Sequence, residues 1–398
     1  MPWPMAPSAD IALRPPRTFG TTGCANCICL RRCGGHPLPF IRQLGCANFP
    51  GEDRPVDTDD MNPLFADRFW ELWDDVNGLE DYTIGRLRPI EPTGLPRYLP
   101  LFQDRFLRRS RLFDAPAVAL RLFDVVGKRR NGSYAPRYST ASALRTAYKL
   151  RQDTRILLVG VDDDAPLENF WAEHRVQPVC AGIADLGVLG VTAPNYSYFT
   201  CVPRFQVMRN RKRMLLAAES LSAAGVNVAP HFNANTDWDW HFWFEFLREH
   251  PEVSAVSMEF QTGSLANRSV GQDAFDQLVR LQDSLGRPLH PLLVGAARHY
   301  REAQERFASF TVIDSRPYMQ TVNRQVLSLA GNGRYFWEAF PTPRGAPLDD
   351  LLETNLLRYE DKLSSDSKED TQFPLTDPRQ GDLYLDTSIP YLTAQPQA

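Results

Sequence analysis

The 398-residue sequence lacks any apolar run that approaches the ~20 residues needed to span a bilayer. Its first residues, Met1 to Gly23, also lack the ~7–15-residue apolar stretch of a secretory signal peptide. They are instead rich in proline. We therefore expect a protein with no membrane partner, a cytoplasmic location and a disordered arm over residues 1–23.

An excess of charge of one sign is missing as well. The chain has 44 Lys and Arg against 48 Asp and Glu, which gives a net charge of −4. No global field therefore draws the molecule onto nucleic acid, and any such contact has to come from a local basic patch.

Cysteine is scarce, but it is concentrated near the N-terminus. Of seven cysteines, five lie between Cys24 and Cys46. A cytoplasmic location makes structural disulfides rare, so a cluster of this kind favours metal binding. Cys24 and Cys27 form a C-x2-C pair, and Cys33 and Cys46 complete a set of four sulfur ligands. Residues 24–60 are therefore predicted to be a cysteine-rich metal-binding extension.

The identity of the bound metal is left open by the residue types. Four cysteines suit zinc or an iron–sulfur cluster equally. Three cysteines close together and a fourth well downstream favour the iron–sulfur cluster, with zinc as the alternative. Cys29 and His36 are further candidate ligands. The alternative to a metal site is a set of unrelated reduced thiols.

Short apolar runs that lead into amphipathic helices recur along the middle of the chain. Runs such as Arg155–Val161 and Val253–Met258 are followed by polar residues and then by a helix. This alternation of strands and helices is typical of a parallel α/β sheet. Seven or eight such units, without G-x-G-x-x-G after the first strand, favour a TIM-like barrel over a dinucleotide-binding fold. The first strand is predicted at 117–126, and an eighth at 335–340.

The same pattern sets the predicted organisation of the chain beyond the cysteine-rich extension. The predicted segments are a helical linker region over 61–115, the barrel over 116–363 and a loosely ordered tail over 364–398.

Polar side chains follow nearly every predicted strand. In a barrel the carboxyl ends of the strands lie on one rim, so these side chains are expected to face a common mouth. The candidate catalytic residues, whose chemistry suits an acid, base, nucleophile or metal ligand, are Asp162, Asp164, His231, Glu259 and Asp314. The candidate binding residues on the same rim are Asn195, Ser197, Asn233, Gln261 and Arg316. For any one of them alone, a cap or loop hydrogen bond is the alternative.

A long helix predicted from Pro203 to Ala224 carries a dense group of basic residues. Positive charge and helix N-terminal amides both favour phosphate groups. Arg204, Asn210 and Arg213 are therefore predicted to bind substrate, and a solvated charged face is the alternative.

Two stretches resemble known groups of proteins. The Cys-x2-Cys and Cys-Gly-Gly pattern from Cys24 is similar to the opening of an uncharacterised group of prokaryotic proteins with an α/β domain. The string Pro194-Asn195-Tyr196-Ser197, with the downstream Arg204, Asn210, Arg213 and Gly225, resembles a domain of unknown function of phages, plasmids and genomic islands. That resemblance covers residues 193–263. It implies a mobile-element or defence setting and no established activity.

A fainter resemblance is to the tRNA-guanine transglycosylase barrels, which exchange or remove a base at a glycosidic bond with rim aspartates. The chain lacks that family's Asp-Ser-Gly-Gly-Phe-Gln motif and its C-terminal cysteine-and-histidine zinc motif. The resemblance therefore concerns the fold more than the chemistry.

Three functions of different classes follow. The first is a barrel enzyme that acts on nucleic acid or a nucleotide at a glycosidic or phosphate centre. The second is a non-catalytic module that binds nucleic acid or a protein partner from a neighbouring gene. In this case a structural metal would stabilise the module. The third is an iron–sulfur redox sensor.

Overall fold

The computed structural model of the chain describes residues 69–79, 81–103, 108–196, 198 and 204–365. The predicted N-terminal arm, the cysteine-rich extension and the tail beyond residue 365 lie outside the described residues. Numbered in chain order, the strands are β1 (Tyr98–Phe102), β2 (Ala117–Arg121), β3 (Val126–Lys128), β4 (Tyr134–Pro136), β5 (Arg155–Val159), β6 (Gly190–Thr192), β7 (Val228–Ala229), β8 (Ala255–Glu259), β9 (His290–Val294), β10 (Thr311–Asp314), β11 (Gln325–Leu329) and β12 (Tyr335–Ala339).

Helices follow most of the strands. They are α1 (Phe69–Asp74), α2 (Leu122–Val125), α3 (Ala141–Ala147), α4 (Asp164–Glu173), α5 (Val179–Ala184), α6 (Arg204–Ala223), α7 (Asp237–Glu249), α8 (Arg268–Leu285), α9 (Tyr300–Arg306), α10 (Arg316–Val322) and α11 (Asp349–Ser364). None of the helices among the described residues combines the length and the apolar character needed to cross a bilayer.

Eight parallel strands form a sheet that is nearly closed into a barrel. Their spatial order is β7-β6-β5-β2-β1-β10-β9-β8, so each strand lies beside the previous barrel strand of the chain. The gap between β7 and β8 is bridged where His231 pairs with Ser257. There the Ser257 amide donates to Pro230 O at 2.8 Å, and the Phe232 amide donates to Ser257 O at 2.7 Å. The predicted α/β class and barrel-like parallel sheet are confirmed.

The barrel begins earlier in the chain than the sequence predicts. β1 lies in the segment predicted to be a linker, and it pairs with β2 on one side and β10 on the other. The residues predicted as an eighth strand lie outside the barrel sheet, because β12 pairs antiparallel with β11. A short turn with Gly333 at a φ of 79° joins these two strands, and glycine adopts that conformation without strain.

Alternating side chains divide the core into two layers. The inward-facing residues of the barrel strands form one apolar cluster, which includes Leu99, Leu157, Leu292 and Ile313. Their neighbours along each strand pack outwards against the helices in a second, larger cluster. This is the period of two expected for a pleated strand, and it fixes which side chains point into the barrel.

Residues 88–97 cover the N-terminal end of the barrel. Ile90 is fully buried in the interior cluster. The Arg155 guanidinium donates to Thr93 O at 3.1 Å, and Thr311 Oγ1 donates to Pro96 O at 2.8 Å. Arg155 and Thr311 are the first residues of β5 and β10, so these contacts close the bottom of the barrel. A site inside the barrel therefore has to face the carboxyl ends of the strands.

Candidate functional site

Five neighbouring strands carry polar side chains at their carboxyl ends. In sheet order these strands are β2, β5, β6, β7 and β8, where β8 follows β7 across the closing bridge. We call the following residues the polar arc: Arg121, Asp162, Asn195, His231, Asn233 and Glu259. The three remaining strands present apolar residues of the interior cluster near their ends, namely Leu101, Val294 and Ile313. The polar side chains at the strand ends thus lie on one side of the barrel.

Arg121 and Asp162 bring the ends of β2 and β5 together. Arg121 forms two hydrogen bonds of 3.1 Å with Asp124, and its Nη2 lies 3.6 Å from Asp162 Oδ2. Asp162 Oδ1 accepts from the Asp163 amide at 2.9 Å. Burial raises the pKa of Asp162, and the positive charge of Arg121 opposes that shift. Sequence reasoning missed Arg121, because the predicted strand ran on to Val126 and hid the point where β2 ends.

Asn195 and Asn233 join the ends of β6 and β7. Asn233 Nδ2 donates to Asn195 Oδ1 at 2.6 Å. The main chain of each residue is held as well: the Asn195 amide donates to Gly160 O at 2.7 Å, and Trp243 Nε1 donates to Asn233 O at 3.0 Å. Two of the predicted binding residues therefore meet on the rim, as the barrel geometry requires.

Glu259 is a buried carboxyl group at the end of β8. Only 6% of its surface is exposed. One carboxyl oxygen accepts from the Gln261 amide at 2.6 Å and the other from Thr262 Oγ1 at 2.8 Å. Burial raises the pKa of Glu259 despite these donors. A carboxyl group whose pKa is raised by burial is suited to general acid catalysis.

His231 lies inside the barrel, two residues after Ala229 of the interior cluster. It is 1% exposed, and neither ring nitrogen has a hydrogen-bond partner among the described residues. Burial lowers the pKa of His231 to about 3, so the ring is neutral at physiological pH. Its bridge partner Ser257 is fully buried, and the Ser257 hydroxyl also lacks a described partner. Sequence reasoning missed Ser257, although it lies midway between Ala255 and Glu259 and therefore shares their inward face.

The structure places Asp314 away from the polar arc. Asp314 alternates with Ile313 of the interior cluster, so its side chain points outwards to the helix layer. There it accepts from the Tyr359 hydroxyl at 2.6 Å and from the Arg316 amide at 2.8 Å. Asp164 is an exposed first-turn residue of α4, and Gln261 is exposed beyond the end of β8.

Four basic residues of α6 are buried in the protein, namely Arg209, Arg211, Lys212 and Arg213. Arg213 is 1% exposed, donates to both oxygens of Glu168 at 2.9 and 2.6 Å and to Asn210 Oδ1 at 3.1 Å. It also lies 4.1 Å from the centre of the Tyr196 ring. Asn210 and Arg213, predicted to bind substrate, thus lie where α6 contacts α4, with Arg213 also against the Tyr196 ring. The side chains of Ser197 and Arg204, two more predicted binding residues, lie outside the described residues.

A metal centre is predicted only from cysteines that lie outside the described residues: Cys24, Cys27, Cys33 and Cys46. Within the part of the chain that the structure describes, no group of three or more His, Cys, Asp or Glu is arranged to hold a metal ion. The iron–sulfur cluster and its zinc alternative therefore stay predictions.

Comparisons with protein-family models, with curated proteins and with solved structures gave no match for this chain. A barrel fold hosts many unrelated reactions, so it does not define a function. The function has to be inferred from the polar arc and its surroundings.

Proposed function

We propose that this chain is a barrel enzyme that cleaves or exchanges the glycosidic bond of a nucleotide or nucleic acid. The observation that carries the proposal is the presence of two buried carboxyl groups, Glu259 and Asp162, in one polar arc. Most enzymes that act on glycosidic bonds use two carboxyl groups in unlike environments. One protonates the leaving group, and the other stabilises or attacks the sugar carbon, or activates water.

The surroundings of the two carboxyl groups support a different role for each. Burial raises the pKa of Glu259, and no cation is among the groups that shift it. Glu259 is therefore the general acid that donates a proton to the departing base. The Arg121 guanidinium, 3.6 Å from Asp162, favours the ionised form of that carboxyl group. Asp162 is therefore the carboxylate that stabilises positive charge on the sugar in the transition state.

The rest of the mouth fits a nucleoside. Amide groups offer donors and acceptors, so the paired Asn195 and Asn233 suit the hydroxyl groups of a sugar. The apolar side formed by Leu101, Val294 and Ile313 suits the flat face of a ring. An uncharged ring and a polar sugar edge would thus each meet a matching wall.

A glycosidic centre is better supported than a phosphate centre. Phosphate binding favours arginine and lysine side chains that are accessible to the ligand. In α6, Arg209, Arg211, Lys212 and Arg213 are all buried, and Arg213 is paired with Glu168. Arg121 already lies beside two carboxyl groups, those of Asp124 and Asp162. The same burial of basic residues weakens the alternative of a module that binds nucleic acid through this helix.

Base release by the purified full chain tests the proposal. The substrates are the common ribonucleosides and deoxyribonucleosides, their 5′-monophosphates and a short single-stranded RNA, with products separated by chromatography. Replacing Glu259 by Gln is expected to lower kcat/KM by about 10²–10⁴-fold, the usual contribution of a general acid. The melting temperature should not fall, because the substitution removes a buried carboxyl group that burial makes harder to ionise.

Glu245→Gln serves as the matched control, because Glu245 is a partly exposed carboxyl group on α7. This variant should retain the wild-type rate. Release of no base from any substrate, or equal rates for the Glu259→Gln and wild-type proteins, would contradict the proposal.

We also propose, from cysteine spacing, an iron–sulfur cluster on Cys24, Cys27, Cys33 and Cys46, with zinc as the alternative. Elemental analysis and an absorption spectrum of protein purified without oxygen distinguish the two. Iron with visible absorption supports the cluster, and a colourless zinc protein contradicts it. The cytoplasmic location, the mobile-element or defence setting and a protein partner stay predictions.

A further inference from the structure

Two polar side chains without described partners occupy adjacent positions inside the barrel. His231 and Ser257 are the residues paired across the bridge that closes the sheet. Both point inwards, because each lies two residues after an inward-facing alanine of the interior cluster, Ala229 or Ala255. Neither imidazole nitrogen nor the serine hydroxyl has a hydrogen-bond partner among the described residues. A buried polar group left without a partner costs about 1–3 kcal/mol, so folding alone would favour apolar residues here.

The position of this pair relates it to the polar arc. Ser257 precedes Glu259 by two residues on β8, so it lies about 7 Å deeper in the barrel on the same inward face. That separation is comparable with the width of a nucleobase. A base whose glycosidic bond lies beside Glu259 would therefore place its far edge near His231 and Ser257.

The chemistry of the pair selects an uncharged group. Because burial lowers the pKa of His231 to about 3, its ring is neutral and offers one donor and one acceptor. The Ser257 hydroxyl also donates and accepts. The inward side chains of β7 and of the bridge residues that extend it are Ala229 and His231, which carry no positive charge for a phosphate or carboxylate. An amide-like or amidine-like edge, with a donor beside an acceptor, matches this pair.

The geometry points to His231 and Ser257 as the residues that recognise the hydrogen-bonding edge of the substrate's base, deep in the barrel below Glu259. This inference rests on the proposed glycosidic function and specifies which part of the substrate enters first. The polar atoms of both residues are sealed from solvent. Binding therefore requires the imidazole to change its conformation. The neighbours of the pair on the inward face of each strand are Ala229 and Ala255, whose methyl groups obstruct such a change less than branched side chains would.

Equilibrium binding of free bases tests this recognition without turnover. Adenine, guanine, cytosine and uracil are titrated calorimetrically into the full-length Glu259→Gln protein, and ribose 5-phosphate serves as the probe that lacks a base. At least one base should bind. Adding either His231→Leu or Ser257→Ala should lower the affinity for that base about tenfold, as expected for one lost hydrogen bond. The affinity for ribose 5-phosphate should stay the same.

Thermal unfolding separates recognition from a structural role. Both substitutions remove a polar group without a described partner, so each variant should melt at or above the temperature of its parent. If His231→Leu fails to fold, Ser257→Ala and His231→Gln provide the same comparison. A loss of base affinity accompanied by an equal loss of ribose 5-phosphate affinity would assign the pair to structure.

Further outcomes distinguish this inference from the proposed function. If wild-type protein releases bases but the His231 and Ser257 variants keep its KM and base affinity, recognition by this pair is wrong and the enzyme proposal stands. A crystal structure of the protein with a bound base in which only a water molecule bridges His231 and Ser257 would also show that recognition by this pair is wrong. Base binding that depends on the pair, without any turnover, would support recognition and contradict the glycosidic reaction.

Discussion

The ion pair between Arg211 and Asp239 is the most completely buried one among the described side chains. The two side chains are 2% and 0% exposed, and Asp239 also caps the start of α7 with Thr236. Replacing Arg211 by Met would leave the carboxylate buried without its cation. We expect a loss of about 3–5 kcal/mol in the free energy of unfolding, measured by urea denaturation.

Arg248→Met is the control for this prediction. Arg248 pairs with Glu245 on the same helix, but its side chain is 63% exposed. Water screens such a pair, so its loss should cost about 0–1 kcal/mol. Similar losses for the two variants would show that burial does not set the strength of the Arg211–Asp239 pair.

Glu259 is expected to make stability depend on pH. Its pKa is raised in the folded chain by burial, so the folded state binds the proton more tightly than the unfolded chain does. The free energy of unfolding should therefore fall as the pH rises from the ordinary carboxyl pKa through the raised one. The Glu259→Gln variant lacks this titration, so it should gain stability relative to wild type between pH 4 and pH 7. Thermal unfolding across that range would show a constant difference if the carboxyl group is not destabilised by burial.

The buried basic residues of α6 show a limit of sequence reasoning at this scale. A helical pattern tells which residues share a face, but not which distant segment packs on that face. The partners of Arg213 and Arg209 are Glu168 and Asp75, which lie 45 and 134 residues away in the chain. A dense group of cations therefore suggested a phosphate site, whereas acidic residues of other elements surround it.

At the scale of elements, strand positions were predictable where the apolar run was continuous. Seven of the predicted strands, including those around β5 and β8, coincide with barrel strands. β1 was missed because Pro100 interrupts its apolar run, and proline is normally confined to edges and strand ends. The outward direction of Asp314 was also unpredictable, because a shift of one residue in the inferred strand end reverses the face.

The main chains of β5 and β6 approach each other closely at Gly160, which leaves no room for a larger residue there. A Cβ atom on Gly160, just after β5, would lie 2.4 Å from Thr192 O and 2.8 Å from Ala193 O. Backbone atoms in two paired strands cannot move apart without loss of their hydrogen bonds. Gly160→Ala should therefore lower the free energy of unfolding by about 1–3 kcal/mol, the usual cost of overpacking, in a urea titration.

Gly331 provides the matched substitution. A Cβ atom there would meet nothing within 4 Å. Gly331→Ala should change stability by less than about 0.5 kcal/mol, as for most surface positions. If Gly160→Ala were equally neutral, the approach of the two strands would be looser than the structure indicates.

For the whole molecule, the parallel order of the strands is what brings the predicted residues together. Residues 88–97 close one end of the barrel, and the polar arc surrounds the other. Sequence reasoning predicted this gathering of strand ends, since it follows from the βα repeat alone. The closing bridge was not predictable, nor was the pairing of His231 with Ser257, whose polar side-chain atoms have no partner among the described residues. Both depend on how β7 and β8 meet where the barrel closes.

The same burial that keeps histidines neutral should make the whole fold sensitive to acid. Burial lowers the pKa of His231 to about 3 and of His290 to about 4, and burial with the Arg298 charge lowers that of His299 to about 4. In the unfolded chain these groups take up protons near pH 6.5. The unfolded state therefore binds more protons, and the free energy of unfolding should fall as the pH drops from 7 to 5. Each such histidine contributes up to about 2 kcal/mol to this fall. Urea titrations at pH 7 and pH 5 should show that His231→Leu reduces the difference by about that amount. An unchanged difference would mean that the His231 ring binds a proton in the folded barrel as readily as in the unfolded chain.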